Sequence, residues 1–402
     1  MNHSTWWRTV MQPELIAHQY DFLELCEHIR DVGLVAFDTE FVSDAGYRSE
    51  LGLLQFATRE RCAAVDPLAI PSLGAWWDLM IDDRTTVVVH GGQAEVRFCI
   101  QRSGRIPQRL VDIQIAEGLR CRSYPLSYNS IVERVLGISI QSNQTRSDWL
   151  RRPLTREQLT YALDDVSHVL DIWQTQSGWL KSRQRLSWAC AEFDRMCRDV
   201  WEDEQLEPWE RLSGVHRLSR RELATLQKLA AWREEEAAAR NRPARRVMRD
   251  DLLLDLAKRR PTTVQQALAV RDLNRPEFKK GLSEIVQVIA EAGRIPEDRL
   301  PSRQKQRDDA SSDDQIISRL LGLALSNVCA EHDVAQALAG TNRDLTELVR
   351  HVRCGESGEL PLLLQGWRGE LFGDLLRKVL DGRVHFRVAP EGSATPLIFE
   401  DN

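Results

Sequence analysis

At about 150 residues per domain, a chain of 402 residues suggests two or three domains. With 54 Lys and Arg against 60 Asp and Glu, a net charge of −6, 42% apolar and 28% charged residues, the composition is globular and excludes wholesale disorder, collagen and coiled coil. No apolar run approaches the roughly 20 residues that span a bilayer, and the N-terminus shows no basic segment followed by an apolar one, so the reading is a cytoplasmic protein with no membrane partner.

The segments LVAFDTEF (34–41), LGLLQFAT (51–58), CAAVD (62–66) and VVVH (87–90) are apolar runs of strand length, followed by stretches at helical period. Three strands in quick succession and then strand–helix alternation predict a mixed sheet with helices packed on it, through residue 180. LTREQLTYALDDVSHVLDIW (154–173) predicts a helix that opens at Thr155 and docks through Leu159, Leu163, Val166, Val169 and Leu170. A helical connector follows over 181–211, packed by Trp188, Trp201 and Trp209. Ser219, with Glu222 three residues on, forms a capping box before a long helix that Asn241 and Pro243 stop. Further helices from Met248 to Arg260, after Thr262 and Thr263, and up to Gly293 complete a helical domain over 212–295. The stretch 296–315 is polar and reads as a linker; 316–402 reads as a second helical domain that ends in a short VHFRV run. Eight cysteines lack CxxC spacing and nearby His, and read as reduced, packed thiols.

Asp38 and Glu40 project from one face of the first strand at its C-terminal end. Neighbouring carboxylates repel, and burying them requires a cation. A divalent metal supplies one, and oxygen-only ligation favours magnesium or manganese. A solvated strand end and the nucleophilic Asp of phosphatases are the other readings of that motif. Tyr161 and Asp165, four residues apart, share a helix face; a Tyr–Asp hydrogen bond at the rim of the core is the plain structural alternative.

In order, DTEF, HGGQAEVRF, LVDIQIA and SDWLRRPLTREQLTYALDD resemble the ribonuclease D branch of the DEDDy 3′→5′ exonucleases, over roughly residues 20–180. Residues 215–295 are similar to the HRDC domain, and LLLQGWRGELFGDLLRKVLDGR (362–383) resembles the second helical domain that closes such chains. The resemblance implies an α/β ribonuclease H-like exonuclease domain at 1–180, then two all-α HRDC-like domains at 212–295 and 316–402. It also implies a site in which Asp38, Glu40, Glu95 and Asp165 hold two divalent cations, Mg2+ or Mn2+, while Tyr161 orients the attacking water and nucleoside 5′-monophosphates are released. Glu95 stands where the family has Asp. The added methylene could shift a metal by about 1 Å, a displacement worth on the order of a hundredfold in rate, and on that reading Glu95→Asp raises activity. Ser142 and Gln144 replace charged residues that often precede Ser-Asp-Trp. Asp112 and Asp148 also fall within the resemblance and read as turn or helix caps.

Residues 212–295 carry 18 Lys and Arg against 11 Asp and Glu, a basic module in an acidic chain, as phosphate binding demands. Its densest run, RNRPARRVMR (240–249), contains Arg245, Arg246 and Arg249, while Arg146, Arg151 and Arg152 flank the approach to the Tyr161 motif. The implied partner is an RNA 3′ end, tRNA precursors above all, bound by a monomer. Two alternatives stay open: a nucleic-acid-binding protein with a degraded nuclease site, and a DNA 3′→5′ exonuclease, because only contacts to the 2′-hydroxyl tell the two nucleic acids apart.

Overall fold

In the computed structural model, residues 14–44, 46–140, 147–274, 278, 281–302, 311–356 and 358–402 are described. They fall into two units: Met1–Glu40, Gly52–Trp201 and Ala310–Asn402 form the first, Phe41–Leu51 and Glu202–Asp309 the second. Among the described residues no helix is long and apolar enough to cross a membrane.

The first unit is built on β1 (Glu14–Ile16), α1 (Gln19–Val32), β2 (Leu34–Val42), β3 (Glu50–Ala57), β4 (Cys62–Val65), α2 (Gly74–Met80), β5 (Thr86–Val89), α3 (Gln93–Ser103) and β6 (Leu110–Asp112). The strands form one sheet in the order β1-β4-β3-β2-β5-β6. The pairs β1·β4, β2·β5 and β5·β6 are parallel and β3·β4 is antiparallel. Residues 43–49 alone join the neighbours β2 and β3, too short for the crossover of about a dozen residues that parallel neighbours need, so this pair is antiparallel too. The sheet is mixed, as the sequence predicts. Helices cover both faces, which is why β2 to β5 read as continuous apolar runs rather than as alternation. On one face Phe37 and Phe56 stack at 5.1 Å and meet Trp76 of α2 at 4.6 and 4.7 Å.

On the other face α6 (Arg156–Ser167) packs against β4 and α7 (Val169–Ser182) against β5, with α4 (Ile113–Gly118) and α5 (Tyr128–Leu136) packed on α7, and α8 (Leu186–Gln205) follows. Thr155 caps α6 in a box with Gln158. The helix expected over 154–173 is in fact two, broken at His168. The Tyr128 hydroxyl meets the backbone there: it donates to the Asp164 carbonyl at 3.0 Å and accepts from His168 N–H at 3.2 Å.

In the second unit α9 (Arg220–Ala239) starts in the Ser219–Glu222 capping box and ends before Asn241, which adopts a left-handed φ of 43°. With α10 (Ala244–Val247), α11 (Asp250–Arg259), α12 (Val264–Leu268) and α13 (Leu282–Gly293) it encloses a core that includes Leu226, Leu229, Leu253, Leu256 and Ile285.

The chain then returns to the first unit as α14 (Ser312–His332), α15 (Gln336–Ala339), α16 (Asn342–Arg353) and α17 (Gly366–Leu380). A Ser311–Asp314 capping box opens α14 inside the stretch read from sequence as linker. This end of the chain is not wholly helical: the VHFRV run is β7 (Val384–Val388), paired antiparallel with β8 (Leu397–Asp401). Arg368 of α17, 3% exposed, binds Glu192 of α8, 2% exposed, and donates to the carbonyls of Ala339 and Leu338. The Trp367 ring stacks on Trp188 at 5.3 Å, and its Nε1 donates to Glu192 at 2.8 Å.

Candidate active site

Strand β2 outruns its neighbour β5, whose pairing with it runs from Leu34↔Thr86 to Ala36↔Val88. Asp38, Thr39 and Glu40 lie on this overhang. Phe37 faces α2, so alternation turns Asp38 and Glu40 to the α6 face and Thr39 back towards the α2 face.

Glu95 arrives from α3 through a clasp that accounts for the His-Gly-Gly sequence. Asp112, at the end of β6, accepts from Gly91 N–H and Gly92 N–H at 3.0 Å each and from Gln114 N–H at 2.8 Å, capping α4 at the same time. Gly91 has φ 66°, which favours glycine, and a Cβ on Gly92 would lie 2.3 Å from Val89 Cγ2. His90 Nε2 lies 2.9 Å from the Leu126 carbonyl. This clasp fixes the start of α3 and places Glu95 in its first turn, 4% exposed, where the carboxylate accepts from Thr39 Oγ1 at 2.6 Å. Asp112 is therefore structural, as read from sequence. Thr39 and Tyr128 are the residues that sequence reasoning missed, because neither has a motif of its own.

The third contributor is α6. Tyr161 hydrogen-bonds to Asp165, and Trp149, 5% exposed, packs its ring against Tyr161 at 6.2 Å. Gly52 makes room for Trp149: a Cβ there would lie 2.6 Å from Trp149 Cβ. Arg152 holds the same loop. Its Nε and Nη2 donate to Asp66 at 2.7 and 2.6 Å, and its guanidinium also reaches the carbonyls of Trp149 and Gly52.

Asp38, Glu40, Glu95 and Asp165 thus meet from three elements. Burial, then Glu95, Asp165 and Glu40, push Asp38 well above the ordinary carboxylate range. Burial and the neighbouring Asp165 and Glu95 raise Glu40 to about 8. Burial takes Glu95 to about 7 against the Thr39 hydrogen bond, and Asp165 to about 7 against the Tyr161 bond. The Tyr161 hydroxyl is pushed up by burial and by Asp165 and Glu40. None of the four carboxylates has a Lys, Arg or His ion-pair partner among the described residues. An oxygen-only cluster without protein cations has the donor chemistry of a hard divalent ion. Among the described residues, however, no three such side chains are arranged to hold a metal as they stand; the Glu95 carboxylate is engaged by Thr39 and the Asp165 carboxylate by Tyr161.

Of the cations read as nucleic-acid contacts, Arg146 lies outside the described residues. Arg151 is exposed. The Arg152 guanidinium is committed to Asp66 and backbone carbonyls, an anchoring role that leaves no free charge for phosphate. In the second unit Arg245 pairs with Asp250, and Arg249 with Asp251 and Asp272. Arg246 is exposed with no ion-pair partner among the described residues, as are Arg242, Lys258 and Arg260.

Residues 13–175 match the 3′-5′ exonuclease family model and residues 222–289 the HRDC domain model. The ribonuclease D of a Shewanella species is 31% identical over 359 residues, 86% of this chain and 88% of that one. The Gluconacetobacter diazotrophicus ribonuclease D is 31% identical over 92% of this chain and 94% of its own. The crystal structure of Escherichia coli RNase D superposes with a TM-score of 0.80 at 27% identity, covering 92% of this chain and 99% of that one. With 31% identity to ribonuclease D chains over most of both lengths, and the exonuclease and HRDC models matched in turn, the chain belongs to the ribonuclease D family.

Proposed function

We propose that the chain removes nucleotides from RNA 3′ ends with two divalent cations, Mg2+ or Mn2+, held by Asp38, Glu40, Glu95 and Asp165. One observation carries the reading: four carboxylates from β2, α3 and α6 are gathered with no cationic side chain paired to them among the described residues. Such ions, when bound, supply Lewis acidity and an activated water for in-line hydrolysis of a phosphodiester. The protein's own groups do the orienting. Tyr161, its hydroxyl held protonated at neutral pH, donates to Asp165 and keeps its lone pairs for a water hydrogen, and Trp149 fixes the ring. Glu40 offers a carboxylate oxygen to take the proton of the attacking water. Arg151, exposed in the exonuclease unit, would meet phosphates; such contacts position a strand without reading its sequence.

RNA as substrate, with tRNA precursors the expected case, is supported by the E. coli relative, described as an exoribonuclease involved in structured RNA processing. The test incubates the purified chain with 5′-labelled RNA and with DNA of the same sequence, in Mg2+, in Mn2+ and in chelator. The expected result is a metal-dependent ladder on RNA that shortens from the 3′ end and vanishes in Asp38→Asn and Asp165→Asn. Equal rates in either variant would remove the site assignment. Equal shortening of DNA would remove the RNA preference, and binding without shortening would favour a degraded nuclease site.

A further inference from the structure

Gln55, in the interior of β3, is fully buried, yet neither Nε2 nor Oε1 of its amide has a hydrogen-bond partner among the described residues. Its chain neighbours Leu53, Leu54 and Phe56 are apolar and equally buried. A fully buried amide without a partner opposes folding, whereas an apolar side chain of the same shape would not. Packing alone would place Met or Leu here.

The sheet fixes where the amide points. Phe56 stacks on Phe37 and meets Trp76, so both phenylalanines face α2, and alternation turns Gln55 and Asp38 to the opposite face. Gln55 stands opposite Ala64 in the β3·β4 register, and β4 packs against α6. The Asp164 charge of α6 bears on Cys62, which shares the face of Ala64. Gln55 therefore lies on the side of the sheet that carries Asp165 and Tyr161. Because β2 and β3 are antiparallel neighbours and the rings of Phe37 and Phe56 are stacked across them, the next residues inward, Asp38 and Gln55, also stand across from each other, at the roughly 5 Å spacing of a cross-strand pair.

We propose that Gln55 is a positioning residue of the exonuclease site, whose amide N–H donates to the Asp38 carboxylate in the working enzyme and fixes its direction. The proposal rests on the reading of Asp38 as a metal ligand. Sites that act on substrate retain polar groups that the fold alone would discard, and Gln55 is such a group beside the carboxylate with the most crowded electrostatic surroundings in the site.

The experiment compares the full chain with Gln55→Met, Gln55→Leu and Asp38→Asn, by thermal melting in chelator and by steady-state RNA hydrolysis across a metal titration. The expected result for both apolar variants is a melting temperature at or above that of the unsubstituted chain. Their kcat falls about tenfold, the order set by misplacement of a catalytic group, KM for RNA stays within about twofold, and more metal is needed for the half-maximal rate. Two apolar shapes guard against a packing defect peculiar to one. An unchanged kcat in either variant overturns the proposal, and so does a loss of kcat that tracks a lowered melting temperature in both. Failure of the underlying site reading looks different: Asp38→Asn stays active, or the unsubstituted chain shows no metal-dependent shortening, and Gln55 then loses its role with the site.

Discussion

Residue 95 carries a carboxylate one methylene longer than the Asp that the sequence resemblance leads one to expect. That length lets Glu95 reach Thr39 Oγ1 at 2.6 Å while still bearing on Asp38. The sequence reading, that shortening it to Asp relieves a strained ligand, meets a structure in which the Thr39 hydroxyl is matched to Glu. Glu95→Asp would withdraw the carboxylate and leave that buried hydroxyl unpaired. We expect kcat on RNA to fall about tenfold to a hundredfold, with Thr39→Val falling in the same direction. A rise in Glu95→Asp would restore the strained-ligand reading.

At the scale of elements, the break between α6 and α7 and the clasp before α3 do most to place the site. Tyr128, from a different helix, divides what its sequence presents as one continuous period, because its hydroxyl lies between the Asp164 carbonyl and His168 N–H. Tyr128→Phe removes the hydroxyl that bridges these two groups, while the Asp164 carbonyl keeps its bond from Ser167 Oγ at 2.9 Å, so the change should cost about 0.5–1.5 kcal/mol, the net worth of a hydrogen bond, read as a lowered urea midpoint. Because Asp165 adjoins that carbonyl, kcat should fall as well; a variant as stable and as active as the unsubstituted chain would show that the wedge is incidental. Asp112 acts similarly on α3. It collects N–H groups from Gly91, Gly92, Gln114 and Ile115, so Asp112→Ala should destabilise more than the loss of a single helix cap, about 1 kcal/mol, and a smaller shift in chemical denaturation would contradict the clasp.

On the scale of the whole molecule, the first unit is closed by a buried ion pair between residues far apart in the chain. Glu192 receives bonds from Arg368, Trp367 and Arg195, and burial, which alone would raise its pKa, is outweighed by Arg368, Arg195 and Trp367 together, so the carboxyl stays below its ordinary value. Removing one partner of such a pair leaves a charge stranded, and Arg368→Met should cost about 3–5 kcal/mol. The pH dependence follows from the depressed pKa. The stabilisation is complete above the unfolded value of about 4.3 and is lost as pH falls through the lower folded value, so the gap in urea midpoint between the unsubstituted chain and Glu192→Gln should narrow only below about pH 4. Parallel midpoints from pH 7 to pH 3 would refute the ionised pairing.

Much of this protein was determined by sequence alone. The apolar runs gave the strands of a mixed sheet, because a sheet covered on both faces needs apolar residues at successive positions, as in Val35, Ala36 and Phe37. Capping residues gave the starts of α6 and α9, since Thr155 and Ser219 bond to N–H groups only three residues away. The pairs Asp38 with Glu40 and Tyr161 with Asp165 could be read as sharing a face because their spacing on one strand or one helix is a local matter, whereas Glu95 came only from the family resemblance. What tertiary structure decided depends on partners distant in sequence. Thr39 and Glu95, Tyr128 and His168, Arg152 and Asp66, and Glu192 and Arg368 are joined by hydrogen bonds that no period records. The same holds for the cations. Arg152, Arg245 and Arg249 count as free positive charge in a sequence, and only the fold shows that each is paired with a carboxylate of its own unit.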